Sequence, residues 1–393
     1  MKNIILLGLT SLLADFSSEM IQPLMPFFIV ALGGAGVAIG LVGGVGDALA
    51  AIFKVFSGRW ADQSKKYKKF VYFGYGFSAI SKFFFPLAST WLHILVLRPI
   101  ERIGKGLRDA PRDAIVSESN GGTAEKRGFS FGVQRAMDSA GAIIGSIVVY
   151  VLFVNFDMSF RSIFLIAAII ALTALAPLFF VKEPASLTER EINHRKFSFK
   201  NLSPRLKRFV FVATIFNLAN FNFMFFILKA SEVFKDIGNP GLSAQAEKLA
   251  IGLLILLYIF FSIFDASLSV PAGRLSDKIG RKPVLAIGYS LFAVSSFGFI
   301  FADGLFALLG LFALYGAFKA FIDASQKAFV SDLSLVEDRA TSLGVFEMST
   351  GLALIPAGLA AGFLWNIDPV YTFIYGSGLS IVAVSALIMF IKK

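Results

Sequence analysis

The sequence predicts an all-α membrane protein, with twelve transmembrane helices arranged as two pseudo-twofold-related six-helix bundles. Three observations predict it: an excess of apolar residues, their recurrence in stretches of spanning length, and an internal repeat.

Apolar residues make up 56% of the chain and charged residues 16%, with a mean hydropathy of +0.74. Soluble domains carry roughly 45–50% and about 25% respectively. A span needs about 20 apolar residues, so 393 residues supply about a dozen spans with short loops and leave no room for a soluble catalytic domain. The absence of cysteine excludes a disulfide framework, a thiolate metal site and a Cys nucleophile. The two histidines, His93 and His194, fall on opposite sides of the expected membrane, so neither a metal nor a cofactor is expected. The net charge of +11 does not point to nucleic acid, because the basic residues lie between apolar runs, as in cytoplasmic loops. The start, Met1 to Leu13, is similar to a signal peptide, but it continues through Pro23 and Pro26 to Val30 without a small-residue cleavage site and reads as a retained first span.

The spans are expected at Leu6–Val30, Val37–Ser57, Phe70–Ala88, Trp91–Ala114, Gly128–Val154, Ser162–Val181, Phe209–Leu228, Leu249–Val270, Val284–Ala302, Leu305–Leu333, Leu343–Trp365 and Val370–Ile391. Placing both termini in the cytoplasm puts Lys65, Lys66, Lys68, Lys69, Lys126, Arg127, Arg274, Lys278, Arg281 and Lys282 inside, leaving Arg161, Lys235 and Lys248 outside. This satisfies the positive-inside rule for a protein of the cell (cytoplasmic) membrane. The polar stretch 182–208, with Glu183, Glu189, Arg190, Glu191 and Lys207, reads as a cytoplasmic linker between bundles 1–181 and 209–393.

The two halves resemble each other. Ser57 to Asp62 aligns with Ala272 to Asp277, Ala114 to Glu118 with Ala328 to Asp332, and Arg127 to Gly132 with Arg339 to Gly344, at offsets near 214 residues. Internal repeats of this kind mark secondary transporters, whose solute site lies near the bilayer midplane.

The segment Gly273 to Lys282 resembles the loop motif of the major facilitator superfamily: Gly, three variable residues, Asp, a basic residue, then Gly and two basic residues. The first copy keeps Gly58 and Asp62 but carries Gln63 for the basic residue and Lys65 for the second Gly. The resemblance implies that Gly58, Asp62, Arg112, Glu118, Gly273, Asp277, Gly280, Arg281 and Asp332 form a cytoplasmic gate. Within it, Asp62 or Asp277 would sit at a helix N-terminus, and the basic cluster would meet Glu118 or Asp332. Plain positive-inside loops with a helix-capping Asp are the alternative. The fourth span is similar to a second family motif at Arg98, with Arg102 in place of a Gly. In the fifth, Gly141 to Ser146 resembles the Gly-Pro-x-x-Gly-Gly element of the family's antiporters, Ala142 replacing Pro. Small residues of this kind also serve helix packing.

The fourth span places Arg98, Glu101, Arg102, Lys105, Arg108 and Arg112 along one helical face. Turning four such charges to lipid would cost on the order of 10 kcal/mol. The face is therefore expected to look inward, onto a solute and ion pathway that also takes Asp15, Glu19 and Gln22 from the first span, Asp47 and Lys54 from the second, and Arg135 and Asp138 from the fifth. Asn217, Asp323 and Glu347 are the second half's entries. Each charge pair reads equally as a structural ion pair or a transport element. Asp15, Glu19 and Glu101, taken as unbalanced carboxylates, are the expected proton carriers. Glu347 aligns with Arg135, which suggests a salt bridge between repeat-equivalent positions. Gly40, Gly43, Gly44 and Gly46, with no strand before them, read as close helix packing rather than a nucleotide loop. No P-loop and no clustered catalytic set occurs, so the chain does not read as an enzyme.

The expected function is export of a small solute by alternating access, driven by protons, with sodium as the other coupling ion. The alternatives are proton-coupled uptake of an organic anion, suited to Arg102 and Lys105, and a transporter-like sensor without turnover. The expected partners are a small-molecule substrate, the ion and the lipid bilayer, with the protein acting as a monomer.

Overall fold

The computed structural model describes residues 1–119, 124–188, 202–234, 244–334 and 339–391, which are predominantly helical, joined by short turns, and contain no strand. The linker residues from Glu189 to Asn201, including His194, lie outside the described residues, as do Lys392 and Lys393.

The helices are α1 (Lys2–Ile21), α2 (Met25–Ala31), α3 (Gly36–Ser64), α4 (Tyr67–Phe84), α5 (Trp91–Glu118), α6 (Ala124–Tyr150), α7 (Phe160–Thr173) and α8 (Ala185–Thr188), followed by α9 (Pro204–Ala219), α10 (Met224–Val233), α11 (Ala244–Ile279), α12 (Arg281–Ile300), α13 (Gly304–Asp332), α14 (Arg339–Ile367) and α15 (Pro369–Phe390). Among the described residues, ten segments are long and apolar enough to cross a membrane, where the sequence led us to expect twelve. The expected spans that are not among the ten, Phe70–Ala88 and Trp91–Ala114, fall on α4 and α5, helices of 18 and 28 residues. They differ from the ten in charge: α4 carries Lys68, Lys69 and Lys82, and α5 carries the charged face.

The first span is not continuous. Backbone helix stops at Ile21 and restarts at Met25, with Pro26 in the first turn of α2 where its missing N–H costs nothing. The first span of the second half breaks as well, between Ala219 and Met224, and here no proline is present. Instead Asn222 turns its side chain back on the chain, its Oδ1 accepting from Met224 N at 3.1 Å, an Asx-type substitute for a backbone turn. Helix starts use ordinary caps. Ser159, Ser203 and Asp368 accept from backbone N–H groups, and at α5 Thr90 and His93 form a reciprocal box. This places His93 in a capping role.

The chain forms two compact units, Met1–Gly33 with Leu49–Arg195, and Gly34–Ala48 with Lys196–Lys393. In the first, α1 packs on α6 and α7, and α4 on α5. Gly141 and Gly145 of α6 lie directly against the α1 backbone at Leu12 and Phe16, so the antiporter-like element serves as a packing surface. In the second unit α13 packs on α11 and α12, and α9 on α14 and α15. Its core is aromatic: Phe216 stacks on Tyr289 with centroids 3.9 Å apart, and Phe226 meets Tyr315, Phe299 and Phe373. Much of the phenylalanine content is thus spent on ring packing, each pair contributing about 0.5–1.5 kcal/mol beyond its buried area.

The start of α3 belongs to the second unit, where it meets α14 with almost no side chain between them. A Cβ on Gly40 would run into the Gly358 carbonyl and one on Gly358 into the Gly40 carbonyl, while Gly36 sits beside Gly362 and Asn366. The Gly36 N–H donates to Asn366 Oδ1 at 2.9 Å. The glycine cluster is close helix packing, as its sequence context suggested.

Candidate functional site

Within the first unit, the charged face of α5 is covered rather than exposed. Arg98, Glu101 and Arg108 are 7%, 2% and 3% exposed. Arg98 Nη1 lies 2.9 Å from Glu101 Oε2, one turn along the same helix, and Arg98 Nη2 donates to Gln22 Oε1 at 2.7 Å. Ser78 of α4 donates to Glu101 Oε1 at 3.2 Å. Glu101 therefore cannot serve as the unbalanced carboxylate that its position suggested, since both of its oxygens are engaged and one carries a guanidinium. The three helices α1, α4 and α5 are tied together at this point. Desolvated charges are tolerated when hydrogen bonds complete the pair, and these do so.

Beside this pair stands a residue that the sequence reading passed over. Lys82 of α4 is 1% exposed, and its ammonium donates to Ser17 Oγ and Ser18 Oγ, both at 2.9 Å. Among the described residues these two hydroxyls are its hydrogen-bond partners. Its hydrogen bonds go to neutral oxygens, and the negative charge of nearby Glu101 offsets part of the desolvation cost of burying the ammonium. A lysine in the body of an otherwise apolar run was the available signal, with Ser17 and Ser18 one helix away.

Further along α5, Arg112 Nη1 donates to Ser11 Oγ at 2.9 Å, and Ser11 shares a 2.8 Å hydrogen bond with the Tyr75 hydroxyl. Arg112 also holds Asp113 through Nε and Nη2. Arg108 lies over the Tyr75 ring at 4.2 Å, a cation–π contact that offsets part of its burial. Arg102 and Lys105 are half-buried, as are Asp15, Glu19 and Asp138. Gln134 donates to Asp138 Oδ1 at 2.9 Å, whereas Arg135, one turn from Asp138, is exposed.

In the second unit, Asp47 of α3 accepts from Asn222 Nδ2 at 3.0 Å. Asn222, absent from the sequence-level candidates, thus serves both the chain break and a half-buried carboxylate. Asn217 is turned back on its own helix, donating to Ala213 O at 2.8 Å. Lys319 lies 2.8 Å from Asp323 and 4.0 Å from Asp265. Glu347 lies 2.8 Å from Lys327, a cation of α13 that the repeat alignment with Arg135 did not suggest. Lys54 is half-buried in the first unit.

At the motif copies the observed partners are local. Arg281 bridges Asp277 at 2.7 Å and Asp332 at 3.1 Å, and also donates to Ser276 Oγ at 3.1 Å. Gly280 takes φ +94° and ψ 158°, a backbone region essentially confined to glycine. In the first copy Asp62 accepts from the Tyr67 hydroxyl at 2.6 Å, and Lys65, at the repeat position of Gly280, has φ +58°. That value lies in the left-handed helical well, which a side chain can occupy at a cost. Gly58 and Gly273 sit in the last turns of α3 and α11, with Glu118 at the end of α5. No group of three or more residues suited to a metal occurs among the described residues.

The Major Facilitator Superfamily pattern matches residues 7–238 and again 210–393. An uncharacterized MFS-type transporter of Methanocaldococcus jannaschii is 45% identical over 99% of this chain and 95% of its own length. Multidrug resistance protein 1 of Bacillus subtilis is 28% identical over 37% of this chain and 36% of its own length. Among solved structures, a nucleoside transporter superposes with a TM-score of 0.82 over 99% of this chain and 100% of its own, at 18% identity.

Proposed function

Because the chain belongs to the Major Facilitator Superfamily and is a multi-pass membrane transporter of a small molecule, not an enzyme, we propose that it works by alternating access as a proton-coupled exporter. The observation that carries this reading is the enclosure of the α5 charged face by α1 and α4. Ionisable side chains held inside a membrane bundle mark solute and proton routes; here Arg98 joins Glu101 and Gln22, and Lys82 is held separately by Ser17 and Ser18. Asp15, Glu19 and Asp138, half-buried carboxylates of the same unit, are the proton carriers in this proposal. The remaining pathway residues are Asp47, Lys54, Arg102, Lys105, Arg135, Asn217, Asp323 and Glu347. The gate consists of the two motif copies with Arg112, Glu118 and Asp332. The export direction draws on the multidrug relative, which matches about a third of the chain. The proposal places the chain in the cytoplasmic membrane as a monomer with both termini inside, its halves 1–181 and 209–393 joined by the linker 182–208.

A second reading, transport of an organic anion, is favoured by one observation. Lys82 holds a buried positive charge against two hydroxyls, an arrangement that a carboxylate or phosphate ester would complete.

The test is flux in proteoliposomes under an imposed pH gradient, with cationic drugs and small organic anions supplied in parallel. Solute movement that collapses when a protonophore dissipates the gradient supports the proposal. Saturable binding with no flux in either direction would replace it with a sensor.

A further inference from the structure

The turn between α3 and α4 carries Lys65 and Lys66, and the first turn of α4 carries Lys68 and Lys69. Beneath it lies a cleft of about 330 Å³ lined by Lys66, Lys68, Lys69, Tyr72, Phe73 and Glu183. The cleft has fixed walls. Lys68 Nζ donates to Phe179 O at 3.1 Å, Lys68 N–H donates to Glu183 Oε1 at 2.8 Å, and Tyr72 meets the Phe179 ring edge-on at 5.5 Å. Lys69 Nζ stands 5.7 Å from the Phe73 ring centroid. Directly below, α4 turns a row of uncovered apolar side chains outward: Phe73, Phe77, Ile80 and Phe84, at 58%, 46%, 57% and 49% exposure. Their spacing of four, three and four residues is one helical face.

We propose that this cleft and row form a binding site for one anionic phospholipid, with the phosphate among Lys66, Lys68 and Lys69 and an acyl chain along Phe73, Phe77, Ile80 and Phe84. The chemistry matches at both ends. Three lysines suit a phosphodiester as point charges, and basic pockets beside membrane helices hold acidic headgroups. The row continues away from the lysines along a helix in a membrane protein, which is where an acyl chain attached to that phosphate must run. Glu183 is the one carboxylate in the cleft. Tied to the Lys68 N–H, it suits a headgroup that also brings hydroxyl donors, as phosphatidylglycerol does. This site is separate from the α5 network and does not depend on direction, solute or coupling ion.

The experiment is native mass spectrometry of the full-length protein titrated with dioleoylphosphatidylglycerol or dioleoylphosphatidylcholine, with inorganic phosphate as a competitor. Wild type is expected to retain one phosphatidylglycerol in preference to phosphatidylcholine. The variant Lys66→Gln, Lys68→Gln, Lys69→Gln is expected to lose that affinity by roughly a hundredfold, at about 1 kcal/mol per lysine, with phosphatidylcholine adducts unchanged. The matching triple Lys→Arg variant retains it. Lys69→Gln alone, a change at an exposed side chain, gives a partial loss and guards against a triple variant that fails to fold. Undiminished phosphatidylglycerol retention in the triple Gln variant would overturn the site. Full displacement of the lipid by inorganic phosphate would overturn the acyl-chain half of it.

Discussion

Arg98 and Glu101 form an ion pair at 2.9 Å inside the first unit, and the second arm of the same guanidinium reaches Gln22, the residue that ends α1. The pair lies along one helix, yet its outer contacts fasten three.

Truncating one partner strands the other charge out of water, which costs about 3–5 kcal/mol in buried pairs. Arg98→Ala is therefore expected to lower the melting temperature of the purified protein sharply, and Glu101→Gln less, because the amide still accepts from Arg98. If Arg98→Ala melts like wild type, the pair contributes nothing to holding the bundle.

Lys82 should behave in the opposite way. Replacing its ammonium with a thioether, Lys82→Met, removes a desolvated charge at nearly constant volume, so stability is expected to hold or rise. Flux of an anionic solute should fall at least roughly tenfold, as loss of a charge-assisted contact worth about 1.5–3 kcal/mol implies. Lower stability together with unchanged flux would assign Lys82 a purely structural role.

The repeat positions Lys65 and Gly280 differ in backbone as well as in residue. Lys65→Gly is expected to stabilise the protein by about 0.5–1 kcal/mol, since glycine enters the left-handed well without steric cost. Gly280→Lys, although it copies the other half, is expected to cost on the order of 1–3 kcal/mol at φ +94°. Thermal melts of the two variants moving in the same direction would refute this reading.

Arg281 bridges two acidic residues, but Asp277 and Asp332 are 66% and 54% exposed at their side chains. Exposed pairs contribute about 0–1 kcal/mol. Arg281→Ala is expected to leave the melting temperature within a degree or two while slowing transport, if the contact sets the gate rather than the fold. Parallel melts and flux assays read the two effects apart.

The helices and the charged face of α5 were legible because each follows from local composition and period. Spans announce themselves by length, and charges at steps of three and four name a face whatever surrounds it. Partners were less legible. Glu101 looked unbalanced because one of its partners, Ser78, comes from another helix, and the Lys327 beside Glu347 has no counterpart in the repeat alignment. Lys82 escaped notice because one cation in an apolar run resembles an interfacial lysine until its burial is known. The break at Asn222 left no proline to mark it, and a side-chain amide that replaces a backbone turn has no distinctive spacing. The local pairing of Arg281 with Asp277 was legible in the spacing of the motif, four residues apart across the turn between α11 and α12.

The meeting of Gly40 with Gly358 has a bearing on heredity. Each position excludes a methyl group at the other's carbonyl, so enlarging one residue cannot be relieved by trimming its neighbour, which is already as small as an amino acid can be. No compensating second-site change exists within the pair. Lineages carrying this protein should therefore hold both glycines fixed.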